Sequence, residues 1–95
     1  MKKLEYGGRK ISYDPNKVKV TEIPSENKIC INYIPKMIGD YPLIKAKIRG
    51  EIRYVEAIVV HQDGSVIGYS TDWVYNGVDE TPEEYSEILI KPQGG

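Results

Sequence analysis

Phenylalanine is absent from this chain of 95 residues, and cysteine, histidine and tryptophan occur once each. One cysteine excludes an intrachain disulfide, and with one histidine it leaves too few ligands for a transition-metal centre. No apolar run approaches the ~20 residues that span a bilayer as a helix. The opening Met1-Lys2-Lys3-Leu4-Glu5 has the lysines of a secretion signal without the apolar segment that follows them in one. Helical periodicity is also missing: no amphipathic pattern reaches about 12 residues, which argues against parallel βαβ architecture. Neither a Gly-x-Gly-x-x-Gly nor a Walker-type loop occurs to cradle a phosphate. These absences lead us to expect a cytoplasmic protein with no cofactor, no metal and no membrane partner.

What the chain has in quantity is alternation, of the kind that makes strands with two different faces. The stretch Ile52–Tyr75 carries two β-rich runs that meet at Asp63-Gly64. Asp-Gly suits a two-residue type I′ turn, because both central positions need positive φ. That turn sets Gln62 opposite Ser65, Val60 opposite Ile67, Ile58 opposite Tyr69, Glu56 opposite Thr71, Tyr54 opposite Trp73 and Ile52 opposite Tyr75. One face of this hairpin is then large and aromatic, and the other is smaller but still partly apolar.

The rest of the chain adds shorter pairs. Gly7-Gly8 reads as a turn that sets Tyr6 against Arg9, Glu5 against Lys10 and Leu4 against Ile11. Val18–Ile23 and Lys28–Ile34, joined by Pro24-Ser25-Glu26-Asn27, place Val20 opposite Ile31 and Val18 opposite Tyr33. Pro35 ends that strand because it has no N–H for a ladder. Leu43 to Arg49 alternates Leu43, Lys45, Lys47 and Arg49 with Ile44, Ala46 and Ile48. Thr81-Pro82-Glu83-Glu84 has the residues of a helix start, with a capping threonine, proline at the first position and Glu84 closing the box. The strand-like Glu87–Lys91 leaves room for one short helical turn near 82–86. The expected fold is all-β: a single domain over 1–95, with about seven strands in antiparallel hairpins forming a small sandwich or partly open barrel.

Catalytic chemistry finds little footing. His61 beside Asp63, or within reach of Asp72, has the residue types of an acid–base pair but sits at an expected hairpin tip. Cys30 falls between Ile29 and Ile31, where a packed thiol is inert. We therefore expect a non-enzymatic binding protein, an accessory or inhibitory one, acting through a Tyr- and Trp-rich sheet face. Its binding residues would be Tyr54, Glu56, Tyr69, Thr71, Trp73 and Tyr75. The proline-flanked loop Pro35–Pro42 adds Met37, Ile38 and Tyr41 as contact candidates. The eight tyrosines support this, since a buried hydroxyl needs a partner and the rings favour margins and surfaces. A hairpin apolar on both faces implies a protein partner or self-association, most simply a homodimer.

Charge opens an alternative. Residues 1–53 hold twelve Lys and Arg against six acids, while 54–95 hold Lys91 alone against eight acids. Lys45, Lys47 and Arg49 on one strand face, together with Tyr33, Tyr54 and Trp73, supply the residue types that bind a nucleotide or single-stranded nucleic acid. The overall charge of −1 argues the other way.

The tail Glu87-Ile88-Leu89-Ile90-Lys91-Pro92-Gln93-Gly94-Gly95 resembles that of the sulfur-carrier and ubiquitin-like β-grasp proteins, which end in a strand and Gly-Gly. The resemblance implies a carrier protein activated at the carboxylate of Gly94-Gly95. It also implies a helix after the first hairpin, where this chain has the strand-like Val18–Ile34.

Overall fold

In the computed structural model, which describes residues 2–34, 44–71, 73–81 and 88–90, Gly7 and Gly8 form the turn their composition dictates. Both take positive φ, 60° and 75°, which no other residue adopts at so little cost. They join β1 (Lys2–Tyr6) to β2 (Arg9–Tyr13) in the expected register, Leu4 against Ile11 and Glu5 against Lys10. The next pair, β3 (Val18–Ile23) and β4 (Lys28–Tyr33), also has its expected register, Val20 against Ile31 and Val18 against Tyr33. Its loop is a 3-10 turn, Pro24–Glu26, closed by Asn27 in the left-handed region. A strand pair therefore follows the first hairpin where the β-grasp pattern has its helix.

Downstream lie β5 (Ile44–Ile48), β6 (Glu51–Val55), β7 (Ala57–His61), β8 (Val66–Tyr69), β9 (Val74–Asn76), β10 (Val78–Glu80) and β11 (Ile88–Ile90). Among the described residues they complete three antiparallel sheets, ordered β1-β2-β11, β10-β5-β6 and β3-β4-β7-β8-β9. The fold is all-β, built from hairpins, and among the described residues no barrel closes. Thr81 ties β10 to β11: its N–H donates to the Ile90 carbonyl at 3.1 Å, and its hydroxyl accepts from the Ile90 N–H at 2.6 Å. The expected helical turn at 82–86, the contact candidates Met37, Ile38 and Tyr41, and Gly94-Gly95 lie outside the described residues. Among the described residues, no helix is long and apolar enough to cross a membrane.

The core is aliphatic. Ile11, Val18, Ile29, Ile31, Ile44, Ala46, Ile48, Val55, Ile58, Val60, Val66, Val78 and Ile90 form one buried cluster drawn from all three sheets. Tyr6, Tyr13, Tyr33 and Tyr75 pack on its margin, half-buried, where their hydroxyls can stay wet.

The central hairpin departs from its expected register by one residue. Val60 faces Val66, Val59 faces Ile67, Ile58 faces Gly68 and Ala57 faces Tyr69. Its loop has three residues, Gln62-Asp63-Gly64: Gly64 N–H donates to the His61 carbonyl and His61 N–H to the Ser65 carbonyl, each at 2.9 Å. This is a type I turn followed by a left-handed glycine, Gly64 at φ 93°. Asp63 favours it, because its carboxylate accepts from the Ser65 N–H at 2.9 Å and the Ser65 hydroxyl at 2.7 Å. The slip buries small Val66 and Gly68 and turns Ile67 and Tyr69 to the outer face.

Those two Ser65 bonds hold the Asp63 carboxyl below its ordinary value of 3.8. A depressed carboxyl contributes stability that is present above its unfolded pKa and lost as pH falls through the folded one. Carbon-detected NMR titration is expected to find Asp63 titrating below 3.8 in the folded protein and returning toward it in Ser65→Ala. An ordinary Asp63 pKa in the wild type would refute the bonded turn.

Candidate functional site

The expected hairpin does not continue past Glu56. This residue bends the chain between β6 and β7, which belong to different sheets. Its N–H donates to the Tyr69 carbonyl at 2.7 Å and its carbonyl accepts from the Tyr33 N–H at 3.2 Å. Beyond it β6 pairs with β5, Lys45 against Tyr54 and Lys47 against Ile52, while β9 folds back on β8. The expected pairs Tyr54–Trp73 and Ile52–Tyr75 therefore do not form. Glu56 and Thr71 still meet: the Thr71 hydroxyl donates to the Glu56 carboxylate at 2.5 Å, on the surface.

Between the diverging strands lies an open groove of about 340 Å³, lined by Ile48, Arg49, Glu51 and Arg53 on one side and Trp73, Val74, Tyr75 and Asn76 on the other. Trp73 is 64% exposed and Val74 48%, while Tyr75 is half-buried beside Trp73 with ring centroids 6.5 Å apart. Tyr54 is 50% exposed but belongs to the opposite face of β6, with the Lys45 ammonium 6.0 Å from its ring centroid. Tyr69 lies on the outer face of the five-stranded sheet, next to Val74. The six aromatic-face candidates are thus divided: Trp73 and Tyr75 line the groove, Tyr54 and Tyr69 sit on two other surfaces, and Glu56 and Thr71 join the strands where they part.

The basic candidates divide as well. Lys45 and Lys47 point outward from β5, and the Lys47 ammonium is 3.9 Å from the Glu80 carboxylate. Arg49, expected in the strand, is instead the first residue of a two-residue turn with Gly50, at φ 51° and 81°. Its N–H donates to the Asp79 carboxylate at 3.2 Å. A left-handed arginine costs roughly 1–2 kcal/mol relative to glycine, so its side chain needs a reason to be there. Arg53, its neighbour in the groove, pairs with Glu51. Among the described residues no ion pair engages the Arg49 guanidinium.

Backbone groups complete the site. The Ser70 N–H donates to the Trp73 carbonyl at 2.8 Å, so in the β8–β9 ladder Trp73 and Tyr75 face β8. Bonded and non-bonded pairs alternate along an antiparallel ladder, which leaves the N–H and C=O of Val74 and Asn76 facing away from β8, where no described strand pairs with them. With β10 and β11 joined through Thr81, the outer strands among the described residues are β1, β3, β6 and β9. Lys2, Lys3 and Glu5 charge the first, Lys19 and Glu22 the second, and Glu51 and Arg53 the third. Such charges are the usual guard against unwanted strand pairing. β9, Val74-Tyr75-Asn76, carries none.

Among the described residues the remaining candidates show no catalytic arrangement, and Asp72 lies outside them. The Asp63 carboxylate is engaged by Ser65, and Cys30 is half-buried on β4 opposite Thr21 and Val59. Among the described residues no three His, Cys, Asp or Glu side chains gather as a metal site. Sequence reasoning missed Arg49 as a groove residue and Val74 and Asn76 as edge residues. The Arg-Gly pair ending a clean alternation was the available signal for the first.

Set beside family models, curated proteins and solved structures, the chain matches none of them.

Proposed function

We propose that this chain is a non-enzymatic cytoplasmic binding protein, accessory or inhibitory to a protein partner, which takes an extended segment of that partner as an added strand on β9. The observation that carries this reading is the uncharged strand Val74-Tyr75-Asn76, outermost in its sheet among the described residues, with the exposed Trp73 and an open groove at its side. Strand addition draws affinity from main-chain hydrogen bonds and specificity from pockets that take alternate side chains. The backbone groups of Val74 and Asn76 supply the first, and the groove supplies the second. Trp and Tyr are residue types that dominate binding energy at interfaces. The same edge can pair with a second copy, which is the form a homodimer would take.

A nucleotide or single-stranded nucleic-acid binder is the second reading. It rests on Lys45 lying over the Tyr54 ring on the outer face of the β5–β6 hairpin.

The test is amide hydrogen exchange by NMR, with an octapeptide of alternating valine and serine as the probe and oligothymidylate as the contrast. The peptide is expected to slow exchange at the Val74 and Asn76 amides, and its N-methylated analogue is expected to leave them unchanged. Unchanged exchange at saturating peptide sinks the strand-addition reading. Salt-sensitive shifts at Lys45, Lys47 and Tyr54 with oligothymidylate alone would replace it with the second. Sedimentation of the protein alone reports whether the edge is already taken by another copy.

A further inference from the structure

Resting on the strand-addition reading, we infer that the partner segment is acidic and that Arg49 is the residue that reads its carboxylate. Three observations converge on this side chain. Arg49 occupies a left-handed turn position, φ 51°, that glycine or asparagine fills without strain. Arg49 is among the residues that line the groove beside β9. The other cations near that turn have carboxylate partners, Arg53 in Glu51 and Lys47 in Glu80, while among the described residues no ion pair engages the Arg49 guanidinium.

Chemistry narrows the ligand further. A guanidinium presents parallel N–H donors that match both oxygens of a carboxylate, a geometry that lysine does not offer. An extended strand places alternate side chains on one face. A segment that pairs with Val74 and Asn76 can therefore direct every second residue toward the groove, where an aspartate or glutamate meets Arg49. Glu51 disfavours an acidic residue less than its charge implies, because Arg53 holds it. Selectivity against a basic segment then falls mainly to Arg49. The inferred partner is thus an extended peptide with an acid at alternate positions, supplied by another protein.

The experiment compares three octapeptides that alternate valine with glutamate, serine or lysine, titrated into wild type, Arg49→Gly and Arg49→Lys by NMR. In wild type the glutamate series is expected to bind about tenfold tighter than the serine series, the size of one charge-assisted hydrogen bond. Arg49→Gly is expected to abolish that preference while raising the melting temperature, since glycine relieves the turn. Arg49→Lys is expected to restore part of the preference, which a purely structural role for the turn would not do. Equal affinity for glutamate and serine peptides in wild type overturns the inference and leaves strand addition standing. Failure of all three peptides to bind overturns both. Wild-type self-association through β9 would put a second copy in place of the foreign segment and overturn the inferred partner.

Discussion

Replacing Arg9 by methionine is expected to lower the free energy of unfolding by about 3 kcal/mol, roughly two hydrogen bonds from a charged donor, one buried and one part-buried. Arg9 is 8% exposed, and its guanidinium joins three parts of the chain. Nε donates to the Gly64 carbonyl at 2.6 Å, and Nη1 donates to the Asp79 carbonyl at 2.9 Å. The first bond fastens the tip of the β1–β2 hairpin to the central loop, and the second fastens it to β10. Burial lowers the Arg9 pKa from its ordinary value more than the attraction of Asp79 raises it. The charge is therefore held at a cost, and the two carbonyls offset it. Methionine keeps much of the aliphatic stem but leaves both acceptors without this donor. For a domain of this size the melting temperature should fall by on the order of 15 °C in thermal denaturation. Arg9→Lys should fall between the two, since one ammonium cannot span both acceptors in the arginine geometry. A methionine variant as stable as wild type would show that Arg9 is incidental to how the hairpin docks.

The hairpins that depend only on their own turn were legible in the sequence. Gly7-Gly8 fixed its register because both residues accept positive φ, and the four residues Pro24–Asn27 fixed theirs by loop length. Asp63-Gly64 was ambiguous for a physical reason. The dipeptide serves a two-residue turn and also the last two positions of a three-residue loop, and its composition does not choose between them. The choice is made by packing, which places Val66 and Gly68 inward. The split at Glu56 was illegible for a similar reason. The run from Ile52 to His61 has one continuous alternation, yet its first half finds a better partner in β5, a contest between distant segments that no local pattern records.

The candidate site was legible in parts. Exposed aromatics followed from composition, and Trp73 is exposed with the half-buried Tyr75 beside it. Tyr54 and Tyr69 were assigned to the same face by a register that does not form. Arg49 was grouped with Lys45 and Lys47 because the alternation runs through it, whereas it sits in a turn with Gly50 and lines the groove. The edge status of β9 is a property of sheet order, and sheet order is what a sequence pattern states least.

Gly68 shows how such a non-local choice can be tested, because its reason lies entirely across the core. Glycine inside a strand weakens it, and its presence marks a close approach of another element. A Cβ placed on Gly68 would lie 2.9 Å from Val55 Cγ1 and 3.4 Å from Val78 Cγ2. Both valines are buried and β-branched, so neither can swing aside without leaving its rotamer. Gly68→Val is therefore expected to cost about 2–3 kcal/mol through overpacking, and Gly68→Ala about 1–2 kcal/mol. The mechanism makes a sharper demand than the loss itself. Val55→Ala alone opens a cavity and should destabilise by about 2 kcal/mol. When Gly68→Ala is combined with it, the added methyl occupies part of that space, so the two losses should fall short of additivity by about 1 kcal/mol in a denaturant-based cycle. Strict additivity would mean that β8 does not rest on β6 at this point. A shortfall would confirm that the slipped register exists to bring a residue without a side chain against Val55, which is the contact that closes the core where β6 parts from β9.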